Sequence, residues 1–199
     1  MKIVGVGCGP GMLTREAARV ISEAPLIFGS QRAIDLARDH IREECTVHEI
    51  RDYRALATLP DNAVVLSTGD PMLAGLGYLD GEVIPGISSL QVALARLHIP
   101  LARVSVVSAH GGDHHGAMEE AVAEVARGKA AFLIADPKFD VSALAGLFLK
   151  DSPPPAIILC EHLGYPDERI VRGTPQNPPI PEHDLFVILI DPGIRKKTR

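Results

Sequence analysis

Apolar residues in this chain fall into short β-branched runs separated by stretches of helical spacing, the pattern of alternating strands and helices. Residues 2–6 open the series as a strand. A helix over 15–22 follows, with Thr14 placed as N-cap, Glu16 in the first turn, and Ala17, Ala18 and Ile21 on one face. The same reading predicts a strand at 25–28, a helix at 32–41, a strand at 46–49 and a helix at 53–59. Val64, Val65 and Leu66 then form a buried strand that stops at Ser67-Thr68-Gly69-Asp70-Pro71, and a strand at 82–84 runs into Pro85-Gly86-Ile87-Ser88-Ser89. Residues 90–97 are apolar at helical spacing behind Ser88 or Ser89 as cap, and 103–108 make a further strand.

The Gly- and His-rich segment 109–116 breaks this pattern and sets the expected boundary between two α/β domains, 1–109 and 110–199. Beyond it the pattern predicts helices at 117–127 and 141–149 and strands at 130–135, 156–160, 169–172 and 185–190. Pro175, Pro178, Pro179 and Pro181 keep the connection at 174–181 extended and outside any sheet. The basic tail at 195–199 reads as a solvated, disordered terminus.

Composition narrows the function. A net charge of -5 argues against a nucleic-acid binder, whose usual footprint is a basic surface. With 199 residues, 46% of them hydrophobic, the chain can bury a real core. Its apolar runs are far shorter than the roughly 18–20 residues of a membrane span. The N-terminus turns Gly-rich before a signal sequence could form, so a cytoplasmic protein with no membrane partner is expected. Cys8, Cys45 and Cys160 are too far apart to suggest a disulfide framework or a Cys-rich zinc site.

Chemistry concentrates in the loops that end strands, where ligands bind in open α/β sheets. The Gly-rich turn from Gly5 to Gly11 suggests a dinucleotide fingerprint, but the second strand ends in Gly29-Ser30-Gln31-Arg32, without the carboxylate that would hold a ribose. Pro10 also removes one amide from any phosphate cradle. In Thr68-Gly69-Asp70-Pro71, glycine allows close backbone approach and the carboxylate accepts hydrogen bonds. In Pro85-Gly86-Ile87-Ser88-Ser89, a hydroxyl and free amides meet at a helix N-terminus, a site for a polar ligand or a simple cap.

Four motifs in order carry a resemblance: Val6-Gly7-Cys8-Gly9-Pro10-Gly11 with Leu13-Thr14; Thr68-Gly69-Asp70-Pro71 with Gly75; Pro85-Gly86-Ile87-Ser88-Ser89; and Cys160-Glu161-His162-Leu163-Gly164-Tyr165-Pro166 with Glu168-Arg169-Ile170. Together they resemble the tetrapyrrole methylases, S-adenosylmethionine-dependent methyltransferases of two α/β domains. The short length and Ser108-Ala109-His110-Gly111 are similar to the branch that methylates C-5 of a (cobalt-)precorrin in cobalamin biosynthesis. Gly112 stands where that branch usually has Arg, and His162 where it often has Asn.

The resemblance implies a mixed sheet in each domain and an active site in the cleft between them. It assigns S-adenosylmethionine to Pro10, Thr68, Gly69, Asp70, Leu73, Ser88, Ser89, Ala135 and Gly164. It turns the first Gly-rich loop, with Gly9 and Gly11, toward the tetrapyrrole. It also implies a homodimer.

The substrate's carboxylates call for cations near strand ends, which makes Arg15, Arg32 and Lys138 candidates. Methyl transfer to carbon releases a proton, and His110 is the candidate base, with an ordinary loop hydrogen bond as its alternative role. No metal is expected: Asp113, His114 and His115 are adjacent residues among glycines and are poorly placed to share an ion with His110. A non-catalytic tetrapyrrole- or S-adenosylmethionine-binding module, and methyl transfer to another precorrin, are the alternatives.

Overall fold

The structure is a computed structural model that describes residues 1–193; the basic tail at 195–199 lies outside the described residues. The chain divides into two compact units, Met1–Val92 and Ala93–Arg199.

The first unit runs β1 (Lys2–Gly5), α1 (Arg15–Glu23), β2 (Leu26–Gly29), α2 (Gln31–Ala37), β3 (Thr46–Glu49), β4 (Ala63–Ser67) and β5 (Glu82–Ile84), and the division falls inside α3 (Ser89–Leu97). Its five strands lie in the order β3-β2-β4-β1-β5, and every pairing is parallel. The mixed sheet expected here is therefore corrected to an all-parallel one. Parallel neighbours need crossovers, and the helices and 3-10 turns that supply them bury both faces of the sheet. Alternation along the strands sorts the core. Val4, Val64 and Leu66 pack with Ala17, Val20, Ile21, Ala33 and Ile34 of α1 and α2. Ile3 and Val65 pack with Leu56, Leu76 and Leu79. Thr14 caps α1 as predicted, its hydroxyl accepting from Ala17 N at 3.1 Å. The helix expected at 53–59 is instead a 3-10 turn, Tyr53–Thr58, that buries Leu56.

The second unit contains β6 (Val104–Ala109), α4 (His114–Ala126), β7 (Ala130–Ala135), α5 (Val141–Gly146), β8 (Ala156–Glu161), β9 (Arg169–Gly173) and β10 (Phe186–Asp191). Its sheet has the order β6-β7-β10-β8-β9, with β6 and β7 parallel and the other pairings antiparallel, so it is mixed as expected. Val107, Ala131, Leu133, Leu159 and Ile188 form a core with Ala121 of α4 and with Leu144 and Phe148 beside α5.

The expected boundary at 109/110 is corrected by β6. This strand pairs along its length with β7, Val104 with Ala130 through Ala109 with Ala135, and so belongs to the second sheet. The Gly- and His-rich segment is the β6–α4 connection inside the second unit. Helix α5 is also shorter than the predicted 141–149, because Leu147 and Phe148 N–H groups turn back to Leu144 and Ala145 carbonyls, the i→i+3 tightening common at helix ends.

Candidate functional site

A parallel sheet sends all its following loops to one edge, and in the first unit three of these loops are joined there by backbone. After β1, Val6 N donates to Ser67 O (2.9 Å), and Gly7 and Gly69 exchange N–H···O bonds of 3.3 and 2.8 Å. Cys8 N donates to Ile87 O at 3.0 Å. Gly5, Gly69 and Gly86 meet at the centre, so closely that a Cβ on Gly86 would lie 2.1 Å from Gly69 O and 2.8 Å from Gly5 Cα. Crowding thus requires glycine at 5 and 86, and a positive φ of 71° favours it at 69.

Asp70 stitches the same loops. Its Oδ2 accepts from Gly86 N at 3.0 Å, and its Oδ1 accepts from Met72 N at 2.9 Å and Leu73 N at 3.4 Å. The carboxylate expected to face the cofactor thus holds the β4 and β5 loops together through backbone donors. Ser88 is likewise committed: it is buried, its N and Oγ both donate to Gln91 Oε1 (2.8 and 2.9 Å), and its Oγ accepts from Gln91 N at 3.2 Å. Ser88 and Gln91 make a capping box on α3. Gln91, three residues after the predicted cap Ser88, is the sequence signal that completes this box.

The other candidates of this unit lie along the same edge. Arg32, in the first turn of α2, donates from Nη2 to Thr68 Oγ1 at 3.0 Å, so a substrate candidate and a cofactor candidate are brought together. Ser89 begins α3, half-buried, and Gly9 is buried, while Pro10 and Gly11 are exposed in the β1–α1 loop and Arg15 is exposed at the start of α1.

In the second unit, β6, β7 and β8 all run in one direction, since β10 is antiparallel to both β7 and β8. Their following loops share an edge with the segment leading into β10. His110 and Asp136 succeed the paired residues Ala109 and Ala135, which are both buried, and His110 itself is exposed. His114 Nε2 hydrogen-bonds Asp136 Oδ2 at 2.8 Å, with the Phe139 ring 5.3 Å from the imidazole. The His114 hydrogen bond and the Lys138 N–H, at 2.8 Å, hold the Asp136 carboxyl below its usual range. Lys138 is exposed.

The rejected Asp113–His115 metal set is dispersed by these contacts. Asp113 caps Gly116 N, His114 faces Asp136, and His115 faces Glu119 one turn along α4.

Gly164 sits in the loop after β8. Its N–H donates to Glu168 Oε2 at 2.7 Å, and Glu168 Oε1 pairs with Arg96 Nε at 2.7 Å. Burial pushes the Glu168 carboxyl up, but the Arg96 hydrogen bond and the Gly164 N–H outweigh it and the net shift is downward. Cys160, one residue before Glu161, is buried and its thiol is pushed up to about 12, mainly by that burial, which removes it as a nucleophile at neutral pH. Among the described residues no helix is long and apolar enough to cross a membrane.

The profile of the tetrapyrrole (corrin/porphyrin) methylases matches residues 2–178. A probable cobalt-precorrin-7 C(5)-methyltransferase of Methanocaldococcus jannaschii is 30% identical over 128 residues, which cover 55% of this chain and 61% of that protein. The match therefore spans less than two thirds of this relative's length. Among solved structures, a cobalamin-biosynthesis precorrin-6Y methylase from Archaeoglobus fulgidus is 29% identical with a TM-score of 0.75, covering 96% of this chain and 97% of that one. A uroporphyrin-III C-methyltransferase from Thermus thermophilus, complexed with S-adenosylhomocysteine, is 21% identical with a TM-score of 0.71, covering 98% and 92%, and so shares the fold.

Proposed function

Because this chain belongs to the tetrapyrrole (corrin/porphyrin) methylases, we propose that it transfers a methyl group from S-adenosylmethionine to C-5 of a (cobalt-)precorrin in cobalamin biosynthesis. The observation that carries this reading is the stitched junction of the β1, β4 and β5 loops, built from the residues that carry the family resemblance. Support for the precorrin branch comes from the Archaeoglobus fulgidus methylase, similar over nearly the whole of both chains.

The residues fit such a cofactor in their chemistry. The junction presents half-buried small side chains at Thr68 and Ser89 on either side of the buried Gly69, where a flat ligand can approach closely. When bound, S-adenosylmethionine supplies a sulfonium methyl that is already strongly electrophilic. The protein's work is then alignment and exclusion of water.

In this reading Pro10, Thr68, Gly69, Leu73 and Ser89 of the first unit and Ala135 and Gly164 of the second contact the cofactor. Asp70 and Ser88 act as positioning residues, through Gly86 N and through the α3 cap. Gly9 and Gly11 face the tetrapyrrole, while Arg15, Arg32 and Lys138 receive its carboxylates as charge-assisted pairs. His110, which follows β6 on the same edge as Asp136 after β7, takes the proton released from the methylated carbon.

The test is calorimetric titration of the purified protein with S-adenosylhomocysteine, with NAD as control, followed by incubation of S-adenosylmethionine with precorrin substrates and location of any added methyl group. One-site binding of S-adenosylhomocysteine, no NAD binding and a C-5 methyl product are expected. Binding without turnover on any precorrin would favour the non-catalytic module, and failure to bind S-adenosylhomocysteine would overturn both.

Asp70→Asn sharpens the test. An amide must turn an N–H toward one of the backbone donors, so stability should fall by about 1–2 kcal/mol. Affinity for S-adenosylhomocysteine should fall about tenfold as the loops loosen. Unchanged stability with lost affinity would instead mean that Asp70 contacts the cofactor directly.

A further inference from the structure

The second unit holds a cluster of donors that the methyltransferase reading does not use. His162 follows β8 directly, in the left-handed region at φ 46°, and its N–H donates to Leu185 O at 3.1 Å. His183, in the segment leading into β10, stacks on it with ring centroids 4.2 Å apart and planes at 30°. Asp167 Oδ2 lies 2.6 Å from His162 Nδ1. One ligand atom from each of the three residues lies within 4.8 Å of the others.

The backbone beneath these side chains is unusually well held. Glu161, the residue before His162, is fully buried, and its Oε1 accepts from Glu182 N at 2.7 Å and from His183 N at 2.9 Å. One carboxylate therefore fixes the distance between the two histidines. The loop carrying Asp167 is closed by Tyr165 N to His162 O (2.9 Å) and Glu168 N to Tyr165 O (3.0 Å).

We propose that His162, Asp167 and His183 form a binding site for one divalent transition-metal ion of the zinc class. Two imidazole nitrogens and one carboxylate oxygen are a donor set suited to such an ion, and softer or harder ions would favour thiolates or all-oxygen sets. Donors around a four-coordinate zinc stand about 3.3 Å apart, so closure from the present spacing takes small side-chain rotations. Asp167 is the most exposed of the three, with 58% of its side chain accessible, and would exchange its 2.6 Å hydrogen bond to His162 Nδ1 for the ion. Bound there, the ion would clamp the loop carrying Gly164 to the start of β10. The proposal does not depend on the methyltransferase reading.

The test uses the full, tag-free chain, stripped of metal and titrated with Co2+ as a coloured substitute for Zn2+. One equivalent should bind with the visible bands of a four- or five-coordinate ion, and Zn2+ should displace it. His183→Gln and Asp167→Asn should each weaken binding roughly 100-fold or more and bleach the bands, while far-ultraviolet circular dichroism stays unchanged. His114→Gln, which removes the His114–Asp136 pair of this unit, should leave them intact. No binding, or binding that survives both ligand variants, would overturn the site.

Discussion

Replacing Gly86 by alanine is expected to cost about 3 kcal/mol or more, a large share of the roughly 5–15 kcal/mol that holds a domain folded. The added methyl would sit 2.1 Å from Gly69 O and 2.8 Å from Gly5 Cα, and both neighbours are backbone atoms of adjoining loops. Neither can swing aside as a side chain can, so the three loops must separate. Their separation would break the Gly7–Gly69 exchange and the Asp70 to Gly86 bond. Gly11→Ala is the matched comparison. Gly11 has a positive φ, 73°, which Gly86 lacks, but nothing lies within 4 Å of its Cβ position, so only the conformational cost remains, about 1 kcal/mol. Urea unfolding of the two variants decides the matter: equal losses would show that crowding at the junction is not what requires Gly86.

Glu161→Gln should lower stability by about 3 kcal/mol, the typical cost of removing one partner from a buried ion pair. Glu161 is the sole buried charged residue among the described residues. It pairs with Arg169, which also reaches Glu182 Oε1 at 2.7 Å, and it accepts the Glu182 and His183 N–H groups. One side chain thereby ties β8 and β9 to the segment entering β10. Glutamine keeps one acceptor oxygen but leaves Arg169 with only the exposed Glu182 carboxylate as its counter-charge.

The same group sets a pH dependence. Burial pushes the Glu161 carboxyl up, yet the His183 and Glu182 N–H groups and the Arg169 guanidinium outweigh it, so the folded value lies below the ordinary 4.5. The unfolded chain then binds this proton more readily than the folded one. Stability from Glu161 is complete above pH 4.5 and is lost as pH falls through the folded value. Denaturant titrations from neutral pH into the acid range should show a slope in the parent that is reduced in Glu161→Gln. Parallel curves would mean that Glu161 is not ionised in the folded protein.

Which elements form was largely legible along the chain, because strand and helix periods differ and the caps are local. Thr14 capping Ala17, the runs at 46–49, 82–84 and 130–135, and the turns after β1, β4 and β5 all depend on neighbours within a few residues. The glycines and prolines of those turns also carried the family resemblance, and with it the α/β architecture in two parts.

Pairing between distant strands was not legible. A run such as 104–109 has the same local character in either sheet, and only its register against β7 places it in the second unit. Strand direction is equally silent in composition, so the first sheet proved parallel throughout.

Side-chain roles followed the same division. Asp70 is a carboxylate in a turn wherever it is read, but that it reaches Gly86, sixteen residues away, exists only in the fold. His162, Asp167 and His183 show no metal-ligand spacing, because antiparallel strands bring β8's end to β10's beginning across more than twenty residues. What the sequence determined by itself was local, the turns, caps and strand-forming runs set by near neighbours. Contacts between segments far apart in the chain were decided by the tertiary structure, because hydrogen bonding across strands and burial depend on which surfaces meet.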